Sequence, residues 1–168
     1  MTPQAARTVR LCVALLVAAL VQLAFAGSLS IRGVRPDLLL ATSLLISMFS
    51  DANGGAALGF FAGLIHACFA APPLGGFGSL LFSRTLVCFG VGWLEERIYR
   101  DNGLLAVVLV GLGTLLAEGV FFVLSPQRHL VHWARSVGGM TLYNVLLAYP
   151  LYLLLRRWLG PLRLRETY

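Results

Sequence analysis

Six apolar stretches follow one another along this chain, at 9–29, 38–49, 54–71, 76–94, 103–124 and 137–155. About 20 consecutive, mainly apolar residues are enough for a helix to cross a bilayer. A chain that offers such runs repeatedly, with only short polar joints between them, has lipid as its solvent. Its backbone groups must then be satisfied inside helices, so no strands are expected. Composition agrees. Of 168 residues, 58% are hydrophobic and only 12% charged, and mean hydropathy is +0.83; soluble domains carry about a quarter charged residues. The expected fold is an all-α six-helix transmembrane bundle, and no polar linker is long enough to divide 1–168 into two domains.

The second segment is the exception. Twelve residues make a helix of about 18 Å, short of a hydrocarbon core of about 30 Å. We expect it to form a tight hairpin with the third segment, broken at "SDANGG", and to span incompletely or to draw on "VRPD" for length. Ser50, Asp51 and Asn53 are placed to cap the third helix. Pro72 and Pro73 would end it, because proline cannot continue the helical hydrogen-bond ladder.

All thirteen basic residues are arginine, and the net charge is +6. Such a charge is compatible with nucleic acid, but the arginines flank apolar runs, where they set topology, and no nucleic-acid partner is expected. With six spans and the start of the chain in the cytoplasm, Arg7, Arg10, Arg97, Arg100, Arg156, Arg157, Arg163 and Arg165 fall inside. Arg32, Arg35, Arg128 and Arg135 fall outside, and Arg84 is left within the membrane. Merging the second and third segments reverses the balance, so the positive-inside rule favours six spans with both termini cytoplasmic. The first segment contains Ala24-Phe25-Ala26, which has the form of a signal cleavage site. Its apolar run is longer than a signal core, and a retained helix is expected. Cys12, Cys68 and Cys88 all lie in apolar runs without ligand spacing, so buried free thiols and no metal are expected.

Small residues recur every four positions in the third segment, at Gly55, Gly59, Gly63, Ala67 and Ala71. On a helix they form one smooth ridge, which in lipid lets two backbones approach closely. The ridge can serve internal packing or dock a partner's transmembrane helix; internal packing is expected. Gly113 with Ala117, and Ala14 with Ala18, repeat the spacing more weakly.

Four polar side chains interrupt the apolar runs: His66, Arg84, Glu118 and Asn144. From the outer ends of their segments they lie at roughly 6, 12, 9 and 10 Å, counting 1.5 Å per residue. All four therefore fall in the outer half of the bilayer. A buried charge without a partner is hard to keep there, so Arg84 is expected to pair with Glu118, with His66 and Asn144 supplying hydrogen bonds. Such a layer is either a polar lock between helices or the lining of a ligand pocket or proton path; the lock is expected. No HExxH, GxSxG or Cys–His spacing surrounds His66. "HLVHW", with His129 and His132 in an outer loop, lacks a third metal ligand. No enzymatic activity and no cofactor are expected. Glu95, Glu96, Arg97, Arg100, Asp101 and the arginine-rich tail form a charged rim, suited to lipid headgroups before a specific protein contact.

"RPDLLLATSLL" followed by "GAALGFFAGLIHACFAAPPLGGFGSLLFSRTLVCFGVGWLEERIY" resembles the MreD family of bacterial rod shape-determining membrane proteins. The resemblance rests on Arg35-Pro36-Asp37 opening a leucine-rich helix, on Gly59-Phe60 and Gly63-Leu64 in the next, and on Leu74-Gly75 opening the fourth. It covers residues 34–100, and the order and spacing of its pieces carry it. Where the family has an aspartate in the third helix, this chain has His66, which can be neutral. The resemblance implies a multi-pass protein of the bacterial cytoplasmic membrane. It implies a non-enzymatic scaffold of the cell-wall elongation complex that maintains cell shape. The implied partners are an MreC-like bitopic protein and, through it, the glycan polymerase and transpeptidase. The family is also similar in architecture to the six-helix substrate-binding subunits of energy-coupling-factor vitamin transporters. The alternative function is therefore a vitamin-binding transporter subunit, docked through Ala14 and Ala18.

Overall fold

The computed structural model describes residues 3–25, 30, 34–70, 76–95, 103–126 and 129–159. Six helices carry the described chain: α1 (Pro3–Phe25), α2 (Leu38–Ser47), α3 (Ala52–Ala70), α4 (Gly76–Glu95), α5 (Gly103–Leu124) and α6 (Leu130–Leu159). Five are long and apolar enough to cross a membrane; α2, with 10 residues, is not. The protein is an all-helical, multi-pass membrane protein.

The short helix is the centre of the bundle. Every residue of α2 is buried, and it packs against each of the other five helices. Its length is about 15 Å, half a hydrocarbon core. Val34, Arg35, Pro36 and Asp37 lead into the start of α2; Pro36 and Asp37 are buried and Arg35 is exposed. Val34 packs so closely on α6 that a side chain at Gly139 would meet its methyl groups at 2.9 Å.

Contacts fix how the helices run. Gln22, late in α1, bonds to Pro36 and Leu38, so α2 starts beside the end of α1. Asp51, at the end of the α2–α3 turn, lies against Gly92 near the end of α4, and Gly63 lies against Leu81 near its start. The ring of Phe49 stacks on Tyr152 of α6, with centroids 6.2 Å apart. Arg10 Nη1 donates to the carbonyl of Leu159 at 3.4 Å. Arg10, Leu159, Asp51 and Gly92 therefore share one end of the bundle, called the near end below. The α2–α3 hairpin closes as its residues dictate: Asp51 Oδ1 accepts from Gly54 N at 3.2 Å and caps α3.

Three expectations are corrected. The first helix begins at Pro3, not at 9. The sixth helix begins at Leu130, not at 137, and is about 45 Å long by its 30 residues. The first two turns carry His132 and Arg135 and read as a loop by hydropathy. They are helical because Trp133 packs on Phe122 of α5, with ring centroids 4.4 Å apart, and polar side chains are tolerated where a helix leaves the hydrocarbon. The thiols also differ from expectation. Cys88 is buried, but Cys12 and Cys68 face outward, since they stand opposite the stripe of α1 and the ridge of α3 that face the bundle. Pro72, Pro73, Leu74, Gly75, Ala71, Ala26, Arg32, Glu96, Arg97, Arg100, Asp101, Arg128, Arg163 and Arg165 lie outside the described residues.

Candidate functional site

A half-helix inside a membrane leaves a physical debt at its start. The peptide groups that precede it have no helical partner, and lipid supplies no water to replace one. The chain meets this at Pro36–Leu38 with three side chains. Pro36 brings no N–H, and its carbonyl accepts from Gln22 Nε2 of α1 at 3.1 Å. The N–H of Leu38 donates to Gln22 Oε1 at 2.8 Å. The N–H of Asp37 donates to Asn144 Oδ1 of α6 at 3.0 Å. Asp37 then caps α2 itself, its Oδ1 accepting from Leu40 N at 2.9 Å. Asn144 completes its amide by donating from Nδ2 to Thr114 Oγ1 of α5 at 3.3 Å.

The second carboxylate oxygen of Asp37 gathers the charges. Arg84 Nη2 of α4 lies 3.2 Å from Asp37 Oδ2 and 2.9 Å from Glu118 Oε1 of α5. His66 Nδ1 of α3 lies 3.3 Å from the same Asp37 oxygen. Arg84 Nη1 donates to Ser83 Oγ at 3.1 Å, while Nε is buried without a hydrogen-bond partner. Arg84 is 2% exposed and Asp37 3%, whereas the His66 side chain is 24% exposed and forms the outer edge of the cluster. Two carboxylates thus face one guanidinium, with the His66 imidazole beside them.

All six helices therefore send a polar group to one segment, through Gln22, Asp37, His66, Arg84, Glu118 with Thr114, and Asn144. The structure brings His66, Arg84, Glu118 and Asn144 together, and it puts Asp37 at their centre. Charge counting among the apolar runs could not find Asp37, because it lies between two of them. Asp37 was reached only through the Arg35-Pro36-Asp37 resemblance, while Gln22 and Thr114 were missed, being neutral and inside a run. Their signal was the short second segment itself, which announces backbone groups in need of partners.

The glycines hold the cluster's geometry from behind. A Cβ at Gly59 would stand 2.5 Å from the carbonyl oxygen of Arg84 and 2.7 Å from Cys88 Cβ. At Gly55 it would stand 2.5 Å from the carbonyl of Cys88, and at Gly63 2.9 Å from Leu81 Cα. The ridge of α3 is thus laid against the backbone of α4, and that approach sets the height at which Arg84 enters the bundle. Of the resembling motif, Asp37 is in the cluster, Pro36 is at its backbone, Arg35 is exposed outside it, and Leu74 and Gly75 lie outside the described residues. Chemically, the arrangement fixes helices relative to one another: its donors and acceptors are spent mainly on each other. No protein-family model, curated protein or solved structure matches the chain.

Proposed function

We propose that this chain is a non-enzymatic scaffold of the bacterial cell-wall elongation complex, an MreD-like protein of the cytoplasmic membrane with both termini in the cytoplasm. Its partner is an MreC-like protein with one membrane helix and a periplasmic domain, and through it the glycan polymerase and transpeptidase. The observation that carries this reading is the place of Asp37. Arg35-Pro36-Asp37 is one of the pieces whose order and spacing carry the resemblance, and here its aspartate joins the polar groups of the helices into one lock. A scaffold needs such rigidity, and a lock whose members bond one another suits it better than catalysis does. The similarity to the architecture of energy-coupling-factor subunits belongs to the same proposal.

One observation favours the second reading, a vitamin-binding transporter subunit. Arg84 Nε is buried without an acceptor, and His66 gives the cluster a partly exposed edge. Affinity purification from native membranes, with mass spectrometry of proteins and of small molecules, separates the two. The scaffold predicts a single-span protein with a large extracytoplasmic domain and no stoichiometric small molecule. Recovery of a tightly held small molecule, lost on Arg84→Met and unaccompanied by such a protein, transfers the assignment to the transporter.

A further inference from the structure

The outer helices do not close into a full ring. α1 rests on α2 and α3, α6 rests on α5 and α2, and α1 and α6 touch each other only sparsely. Between them runs a groove of about 350 Å³. Ala14 and Ala18 line one wall, Leu151 and Leu155 the other, and Leu38 and Thr42 of α2 form the floor. The lining is apolar throughout apart from the Thr42 hydroxyl, and Ala14, Ala18, Leu38 and Leu155 at the floor and walls are buried. A volume of that order is of the size of one lipid hydrocarbon chain.

The near end of the groove carries charge. Arg10 stands one turn before Ala14 on the same stripe of α1, because residues four apart share a helix face. It reaches across to the Leu159 carbonyl, joining α1 to α6 where the groove ends. That bond uses one of the five N–H donors of a guanidinium. Trp158, in the last turn of α6, lines the groove at the same end. Apolar walls ending on an arginine are complementary to a lipid with an anionic head.

We propose that this groove holds one acyl chain of an anionic phospholipid from the leaflet at the near end, with Arg10 binding its phosphate. His66 is not among the residues that line the groove, and the proposal is independent of whether the protein is a scaffold or a transporter subunit.

Trp158 reports on the groove directly. With Trp93→Phe and Trp133→Phe in the full chain, Trp158 is the remaining tryptophan. The protein is placed in phosphatidylcholine vesicles containing a small fraction of lipid brominated on its chains, either phosphatidylglycerol or phosphatidylcholine. The brominated phosphatidylglycerol should quench Trp158 as well as about a fivefold higher fraction of brominated phosphatidylcholine does, the factor expected for one arginine near an anionic headgroup. Arg10→Gln should abolish the preference and Arg10→Lys should keep it. Ala18→Leu, which fills the groove, should weaken quenching by the anionic lipid. If that variant does not fold, as judged by circular dichroism, the Arg10 pair decides alone. Equal quenching by both lipids, or a preference that survives Arg10→Gln, overturns the proposal. So does a co-purified single-span protein that shields Trp158 from both lipids, which would make the groove a helix-docking surface.

Discussion

Loss of the Asp37 carboxylate would strip an acceptor from three donors at once: Leu40 N, Arg84 Nη2 and His66 Nδ1. Removing one partner of a buried ion pair costs about 3–5 kcal/mol, because the other charge is left behind. Asp37→Ala should therefore lower unfolding stability in micelles by about that amount. Glu118→Gln should cost less, about 1–3 kcal/mol, since Arg84 keeps Asp37 and the amide oxygen can still accept. The two changes share Arg84, so the double variant should depart from the sum of the singles by more than about 0.5 kcal/mol. Additive effects in a double-mutant cycle would mean that the guanidinium does not serve both carboxylates. The exchange Arg84→Glu with Glu118→Arg should not restore stability, because it places a new carboxylate beside Asp37.

At the scale of elements, the α3–α4 pair shows why small residues at one spacing are not interchangeable with small residues elsewhere. Gly59 faces backbone, and backbone cannot rotate away from a new methyl group. Gly90, on the same α4 that Gly59 packs against, has nothing within 4 Å of where a Cβ would stand. Gly59→Ala should destabilise by about 1–3 kcal/mol through overpacking. Gly90→Ala should be neutral or should stabilise by up to about 1 kcal/mol through helix propensity. Thermal unfolding of the two variants side by side checks this, and equal losses would show that the close approach is not limiting. The ridge was legible in the sequence as a period of four; which neighbour it would meet was not, because α4 and α1 both offer apolar faces.

For the whole molecule, the Arg10–Leu159 contact requires that α1 begins and α6 ends on one side of the membrane. Reporter fusions at both termini should therefore give the same signal, and the proposed orientation, taken from the arginine distribution, expects that signal to be cytoplasmic. A periplasmic signal at one terminus alone would contradict the bundle, and at both would contradict only the arginine argument. The same view explains the exposed surface. Outward-facing Leu112, Leu116, Leu142, Leu146 and Leu153 cover α5 and α6, as lipid contact requires. The side chains that distinguish this chain from any apolar bundle are turned inward.

Hydropathy along the chain was enough to establish helices, their number and most of their bounds, because transfer of an apolar run into lipid is a local property of that run. It was enough, too, to single out Arg84, Glu118, His66 and Asn144, since a polar group in hydrocarbon must find a partner. Which partner it finds is not local. Asp37 became the hub because α2 is half a helix packed in the middle of five others, so that its first turn, with backbone groups that have no helical partner, lies among the polar groups of the other helices. Only the packing of α1 against α2, and of α6 against α5, decided that Gln22 and Asn144 would serve the broken backbone, and that a cleft would remain between the first helix and the last.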